Sequence, residues 1–267
     1  MSLQKWIKDR AIHGYPSFSI DDVREAGLYS SEQIMKNELG RLCSNNTIAN
    51  VYRGFYVITP VHYVLRGSIP ATYYIDQLMD YLRKPYYVCM LSAAELLGAA
   101  HQRPQQFSVM TTYPRRQLIS TRNITIDWYY RESMPEDALV IKNTETGTIR
   151  ISNSLLTAAD LVQNQQHVGG LSRVATILEE LVEKIDIDSQ FKTLVPYVNT
   201  VTWQRLGYIL ENVIEDNNTA DKLYEQLHAI SARMVYKPLS TSAADNSSDR
   251  DRRWKVNINS QIETDDL

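Results

Sequence analysis

An α+β chain of two domains is predicted for these 267 residues, with a small helix-and-hairpin domain first and a larger mixed domain behind it. Three observations carry that expectation. Apolar stripes at helical spacing recur through Leu42, and the stretch IANVYRGFYVITP, Ile48 to Pro60, sets apolar and aromatic residues on both sides of an Arg-Gly pair. From Ala71 onward, β-branched strand patterns give way to a series of helical ones.

Leu3, Trp6 and Ile7 make a short amphipathic helix, which Gly14, Pro16 and Ser17 break. Ser19 stands at the N-cap of IDDVREAG, where Asp21 and Asp22 suit the positive helix end and Gly27 the stop. Ser30 and Gln33 have capping-box spacing, and Met35, Leu39 and Leu42 line one face of a third helix from about Ser31 to Leu42. The strands IANVY and FYVIT then flank Arg53-Gly54, where glycine supplies the freedom of a tight turn. Helix, helix, turn, helix, hairpin is the order of a winged helix-turn-helix. In that fold the helix after the turn lies in the DNA major groove and the hairpin along the backbone or minor groove. Residues 1–65 are read as this domain, with Val51, Phe55 and Val57 packing back on the helices.

Opposite the apolar stripe, the third helix displays Gln33, Lys36, Asn37, Gly40 and Arg41, amide and cationic types that read base edges or hold phosphate. A solvated helix surface would carry the same types. The adjacent hairpin with an arginine at its tip favours DNA contact. The candidate DNA-contacting residues are therefore Ser31, Gln33, Lys36, Asn37, Arg41 and Arg53.

Residues 66–267 are read as the second domain, joined through a connector from Pro60 to Pro70. A helix follows with Tyr74, Leu78 and Leu82 on one face, then an alanine-rich one over LSAAELLGAAH. QFSVMTT, NITIDWYYR, ALVIKN and TIRIS predict a small sheet. Helices are expected over SLLTAADLVQ, over Leu171 to Ile185 after Gly169-Gly170, around Trp203 to Val213, and around Leu223 to Met234. The Ser/Asp-rich Leu239 to Asp251 predicts a mobile loop, before a final strand WKVNIN.

Composition excludes more than it assigns. Cys43 and Cys89 form no CxxC, so neither a disulfide framework nor a thiolate metal site is expected. The start of the chain lacks the apolar core of a signal peptide, and no run is long enough to span a membrane, so a cytoplasmic protein is expected. Residues 1–131 carry 15 cationic and 10 anionic side chains, against 10 and 17 over 132–250. That asymmetry is compatible with a polyanion at the basic end. Much of the excess lies in Arg83, Lys84, Arg103, Arg115, Arg116 and Arg122, a candidate basic surface that solubility explains equally well.

Catalytic motifs are missing. There is no GxGxxG, phosphate loop or GxSxG, and His13, His62, His101, His167 and His228 are scattered without HExxH. No Asp or Glu is followed two positions later by Lys, the nuclease pattern. Glu95 and His101 would lie on nearly opposite sides of a helix, and the first is read as serving the helix start with Ser92. No cofactor, metal or catalytic residue is expected.

Several stretches, in order, carry a resemblance: LGRLCSNNTIANVYRGFYVITP, YYVCMLSAAELLGAAHQRPQQFSVMT, LLTAADLVQ, GGLSRVATILEEL, TWQRLGYILENV and RRWKVNIN. They resemble the AbiEi antitoxins of AbiE-type (type IV) toxin–antitoxin and phage abortive-infection systems. The resemblance implies a winged helix that represses the shared promoter at inverted repeats of double-stranded DNA. It also implies a neighbouring nucleotidyltransferase-like toxin of the AbiEii type, countered by the C-terminal domain without a stable complex. On that view the chain is a non-enzymatic antitoxin and autorepressor, and the basic surface is a candidate for countering the toxin. The alternatives are a plain winged-helix transcription factor without a toxin, or a nucleic-acid-processing enzyme with an N-terminal interaction module.

Overall fold

The computed structural model describes residues 1–64, 68–99, 105–115, 126–244 and 249–263. Its elements fall into two units: residues 1–86, 109–132 and 141–150 in the first, and 87–108, 133–140 and 151–267 in the second.

The first unit begins with α1 (Leu3–Ile12), whose Ser2 hydroxyl accepts the Lys5 N–H at 3.3 Å. Strand β1 (Ser17–Ser19) runs directly into α2 (Ile20–Glu25). Ser19 and Asp22 cap α2 reciprocally: the Ser19 N–H donates to the Asp22 carboxylate at 2.7 Å and the Asp22 N–H to the Ser19 hydroxyl at 3.0 Å. Gly27, at φ 62°, takes the left-handed conformation that ends the helix. Helix α3 (Glu32–Ser44) starts later than Ser30 and Gln33 implied: Ser31 is its N-cap and its hydroxyl makes no cap bond.

Strands β2 (Ile48–Tyr52) and β3 (Phe55–Ile58) form the hairpin, and β3 also pairs antiparallel with β1, giving the order β1-β3-β2. A register shift between Asn50 and Tyr52 lets Tyr52 face Phe55 across the Arg53-Gly54 turn. Pleating decides which side chains meet the helices. Ile48 and Tyr56 join Leu3, Ile7, Phe18, Val23, Met35, Leu39 and Leu42 in one core. Phe18 stacks on Tyr56 at 5.4 Å and meets Trp6 edge-on at 5.4 Å. Phe55 points the other way, against Tyr81 at 5.2 Å, so it does not enter the α1–α3 core as its apolar character suggested.

Beyond the hairpin, α4 (Val61–Val64) precedes α5 (Ile75–Leu82), with Tyr74, Leu78 and Leu82 buried as the spacing predicts. Strand β4 (Tyr86–Val88), which the sequence reading passed over, is the central strand of a five-stranded sheet. All three of its residues are buried, and a short apolar run without alternation is what a strand covered on both faces looks like. Helix α6 (Met90–Leu96) stops earlier than LSAAELLGAAH implied, because Gly98 at φ 73° turns the chain. The Ser92 hydroxyl is committed to the Gln106 carbonyl and the Ser108 N–H, not to a helix cap. Strands β5 (Phe107–Thr112), β6 (Ile126–Arg131), β7 (Leu139–Thr144) and β8 (Gly147–Ser152) complete the order β6-β5-β4-β8-β7, with β4 and β8 parallel.

In the second unit, α7 (Ser154–Gln163) is buried from Ser154 to Val162, and its Asp160 accepts the Tyr87 hydroxyl at 2.9 Å. Helix α8 (Leu171–Leu181) follows Gly169-Gly170; α9 (Ile187–Leu194), absent from the sequence reading, buries Ile187, Phe191 and Leu194. Helices α10 (Thr200–Asn212) and α11 (Asn217–Ala229) are capped by Asn199 and Asp216. The final segments β9 (Lys237–Pro238), β10 (Arg250–Asp251) and β11 (Val256–Asn257) make a small sheet of order β10-β11-β9. The WKVNIN strand is thus only β11.

Leu239 and Ser240, expected in a mobile loop, are buried. Asn259 holds them, accepting the Ser240 N–H at 2.8 Å and donating to the Ser240 carbonyl at 3.0 Å. Trp254 is fully buried over α10, where its indole N–H donates to Glu211. Gln204 donates to the carbonyls of Trp254 at 2.7 Å and Val235 at 2.9 Å. Arg253 bridges Glu211 at 2.8 Å and Asp221 at 2.5 Å with its guanidinium 4.5 Å from the Tyr224 ring. Packing here requires glycine at 207: a Cβ on Gly207 would lie 2.1 Å from the Trp254 ring. Gly207→Ala should therefore destabilise the protein by about 1–3 kcal/mol, the usual penalty of overpacking. Urea denaturation followed by tryptophan fluorescence checks this, and an unchanged midpoint would refute the packing argument.

Candidate nucleic-acid interface

Helix α3 has two chemically distinct sides. Met35, Leu39 and Leu42 are buried, while Gln33, Lys36, Asn37 and Arg41 are exposed on the other side. The Gln33 amide donates to the Asn37 side-chain oxygen at 2.9 Å, one turn apart, which orients two amides along the same row as Arg41. Gly40 has open space where a Cβ would stand, which leaves a low spot on this face of the helix. Ser31, at the N-cap, is half-buried.

The cations on this face are partnered within the chain. Lys36 lies 3.6 Å from Glu32, and Arg41 donates to Glu38 at 2.7 Å, which pushes the Arg41 guanidinium above its ordinary pKa. Arg24, which the sequence reading passed over, forks onto Glu32 at 2.6 and 3.1 Å and reaches Asp21 at 2.5 Å. These bonds raise the Arg24 pKa and hold the Glu32 carboxyl below its ordinary range. Both partners are exposed, so the fork orients the start of α3 relative to α2 more than it stabilises the fold. Arg53 sits exposed at the hairpin tip, and among the described residues no carboxylate pairs with it.

The basic surface is only partly visible. Arg103, Arg116 and Arg122 lie outside the described residues, as does His101. Arg83 is exposed and left-handed at the end of α5. Lys84 is committed to the backbone, donating to the Thr112 carbonyl at 2.5 Å and the Pro114 carbonyl at 2.6 Å. Arg115 lies over the rings of Tyr113 and Tyr130 at 5.9 and 5.4 Å. Among the described residues no group of three His, Cys, Asp or Glu side chains could hold a metal ion, and Cys43 and Cys89 are free thiols. No helix of the described residues is long and apolar enough to cross a membrane.

Residues 86–212, from central strand β4 to the end of α10, match the family model of the AbiEi antitoxin C-terminal domain. This segment belongs to the AbiEi antitoxin family. The match supports an antitoxin role in a toxin–antitoxin system. Comparison with curated proteins gives no match. Among solved structures the fold is similar to that of the RV2827C protein from Mycobacterium tuberculosis, with TM-score 0.67 and 13% identity over 94% of this chain and 88% of that one. At this identity the likeness speaks for the fold alone.

The Arg24 fork has a measurable signature. A carboxyl whose folded pKa is depressed contributes stability above its unfolded value, and that contribution is lost as pH falls through the folded value. Replacing Arg24 with Gln should raise the Glu32 titration midpoint toward its ordinary value of 4.5. Carboxyl NMR titration reads it directly, and an unmoved midpoint would rule the fork out as the cause.

Proposed function

We propose that this AbiEi chain is an antitoxin that also represses its own operon, binding promoter DNA through residues 1–65 and countering its toxin through residues 66–267. The observation that carries the DNA reading is the exposed row Gln33, Asn37, Arg41 on a helix anchored by Met35, Leu39 and Leu42, beside Arg53, exposed at a hairpin tip and without a carboxylate partner among the described residues. Helix, strand, helix, helix and hairpin, with sheet order β1-β3-β2, support a winged helix-turn-helix. Helix α3 then enters the major groove, where Gln33 and Asn37 suit adenine and Arg41 suits guanine or phosphate, with Lys36 and Ser31 on the flanking backbone. Arg53 meets phosphate or the minor groove from the wing.

The operator is double-stranded DNA with inverted repeats, and the functional partner is a nucleotidyltransferase-like AbiEii-type toxin, opposed in the cytoplasm without a stable complex during phage abortive infection. Arg83 and Arg115 are the described side chains of the basic surface that remain available for that opposition. No cofactor or metal is called for.

Arg53→Ala should weaken binding to every duplex and lower the slope of log affinity against log salt by about 1, whereas Asn37→Ala should relax preference at one base pair by about 1–3 kcal/mol. Fluorescence anisotropy with the protein's own upstream region and with scrambled duplexes separates the two. Absence of binding by the wild-type protein at low salt would end the repressor reading. Reversing Arg83 and Arg115 to Glu should reduce rescue from the toxin while leaving operator affinity unchanged, and intact rescue in a growth assay would remove that surface from consideration.

A further inference from the structure

The hairpin tip is held by an element outside the first 65 residues. Residues 1–86 belong to one compact unit, so α5 packs with the hairpin that precedes it. The tip is gripped from two sides: the Ile20 N–H at the start of α2 donates to the Gly54 carbonyl at 2.8 Å, and the Tyr81 hydroxyl of α5 donates to the Arg53 carbonyl at 3.3 Å. The Tyr81 ring lies 5.2 Å from Phe55 and meets Tyr52 edge-on at 6.3 Å, so it touches both strands just below the turn. Gly54 closes the arrangement. At φ 76° it takes a conformation other residues adopt only with strain, and a Cβ there would stand 3.0 Å from the Tyr81 oxygen and 3.3 Å from the Ile20 side chain.

We propose that Tyr81 is a positioning residue for DNA contact, fixing the backbone of Arg53 so that its exposed guanidinium is presented at a set height beside α3. The proposal rests on the DNA-binding reading and extends it beyond residue 65. The physical reason is preorganisation. A two-residue turn in solvent samples many orientations of the arginine, and ordering them on binding opposes affinity. Anchoring the Arg53 carbonyl from one side and the Gly54 carbonyl from the other removes that freedom before DNA arrives, and leaves the Arg53 side chain as the mobile part. Tyrosine suits the position because its ring supplies contact area on Phe55 while its hydroxyl supplies the donor.

The test is a double-mutant cycle in the full chain, with anisotropy measurements on a duplex of the protein's own upstream region. Tyr81→Phe keeps the ring on Phe55 and deletes the donor, and Tyr81→Leu keeps apolar volume as a second variant. Each should lower affinity by about threefold to tenfold, the scale on which lost preorganisation acts. In an Arg53→Ala background the same substitutions should change affinity little, because the group being positioned is gone. Equal losses in both backgrounds would show that Tyr81 acts through general stability and overturn the proposal. So would undiminished affinity in both Tyr81 variants. If the wild-type protein itself fails to bind at low salt, the repressor reading falls and this proposal with it, an outcome distinct from binding that is insensitive to Tyr81.

Discussion

Strand β3 has no free face, and the first unit is organised by that constraint. Phe55, Tyr56 and Val57 are consecutive and all buried, so the pleat sends apolar side chains to both sides and each side needs a cover. One cover is the core of α1, α2 and α3, which receives Tyr56 against Phe18. The other is Tyr81 on Phe55. A hairpin covered this way is held by ordinary burial, at about 1.5–3 kcal/mol per fully buried large apolar side chain.

The charges on α3 work by substitution. Lys36 and Arg41 already have carboxylates beside them, so a phosphate approaching this face exchanges one anion for another. Such an exchange favours the partner with more oxygens and better geometry, and it disfavours a loosely placed polyanion. The cations of this face are thus already neutralised locally, in keeping with a chain whose net charge is −3. Arg53 differs in being exposed with no carboxylate paired to it among the described residues.

What could be read from the sequence follows from how local each signal is. The α3 stripe of Met35, Leu39 and Leu42, the Ser19 cap and the Arg53-Gly54 turn depend on neighbours within a few residues, and all are where the residues placed them. Strand β4 was not legible, because Tyr86, Tyr87 and Val88 have no alternation once both faces are covered. Tyr81 was not legible either. It falls off the Tyr74, Leu78, Leu82 stripe, and its contact is with a carbonyl 28 residues away in sequence. The Arg24 fork was hidden for a similar reason, since its Glu32 partner lies across a turn. Helix α9 is a different case: Ile187, Phe191 and Leu194 carried helical spacing that could have been recognised.

Trp254 lying on Gly207 has a consequence for how the second unit is made. The ring fills the notch above Gly207 between Glu211, which accepts its indole N–H, and Gln204, which donates to its carbonyl, so α10 depends on a residue some 47 positions later in the chain to cover it. In the folded unit one aromatic ring and the Arg253 bridge close over α10 and α11. Opening of this seal would expose the chain to proteases and chaperones, which ties its lifetime to one buried aromatic ring.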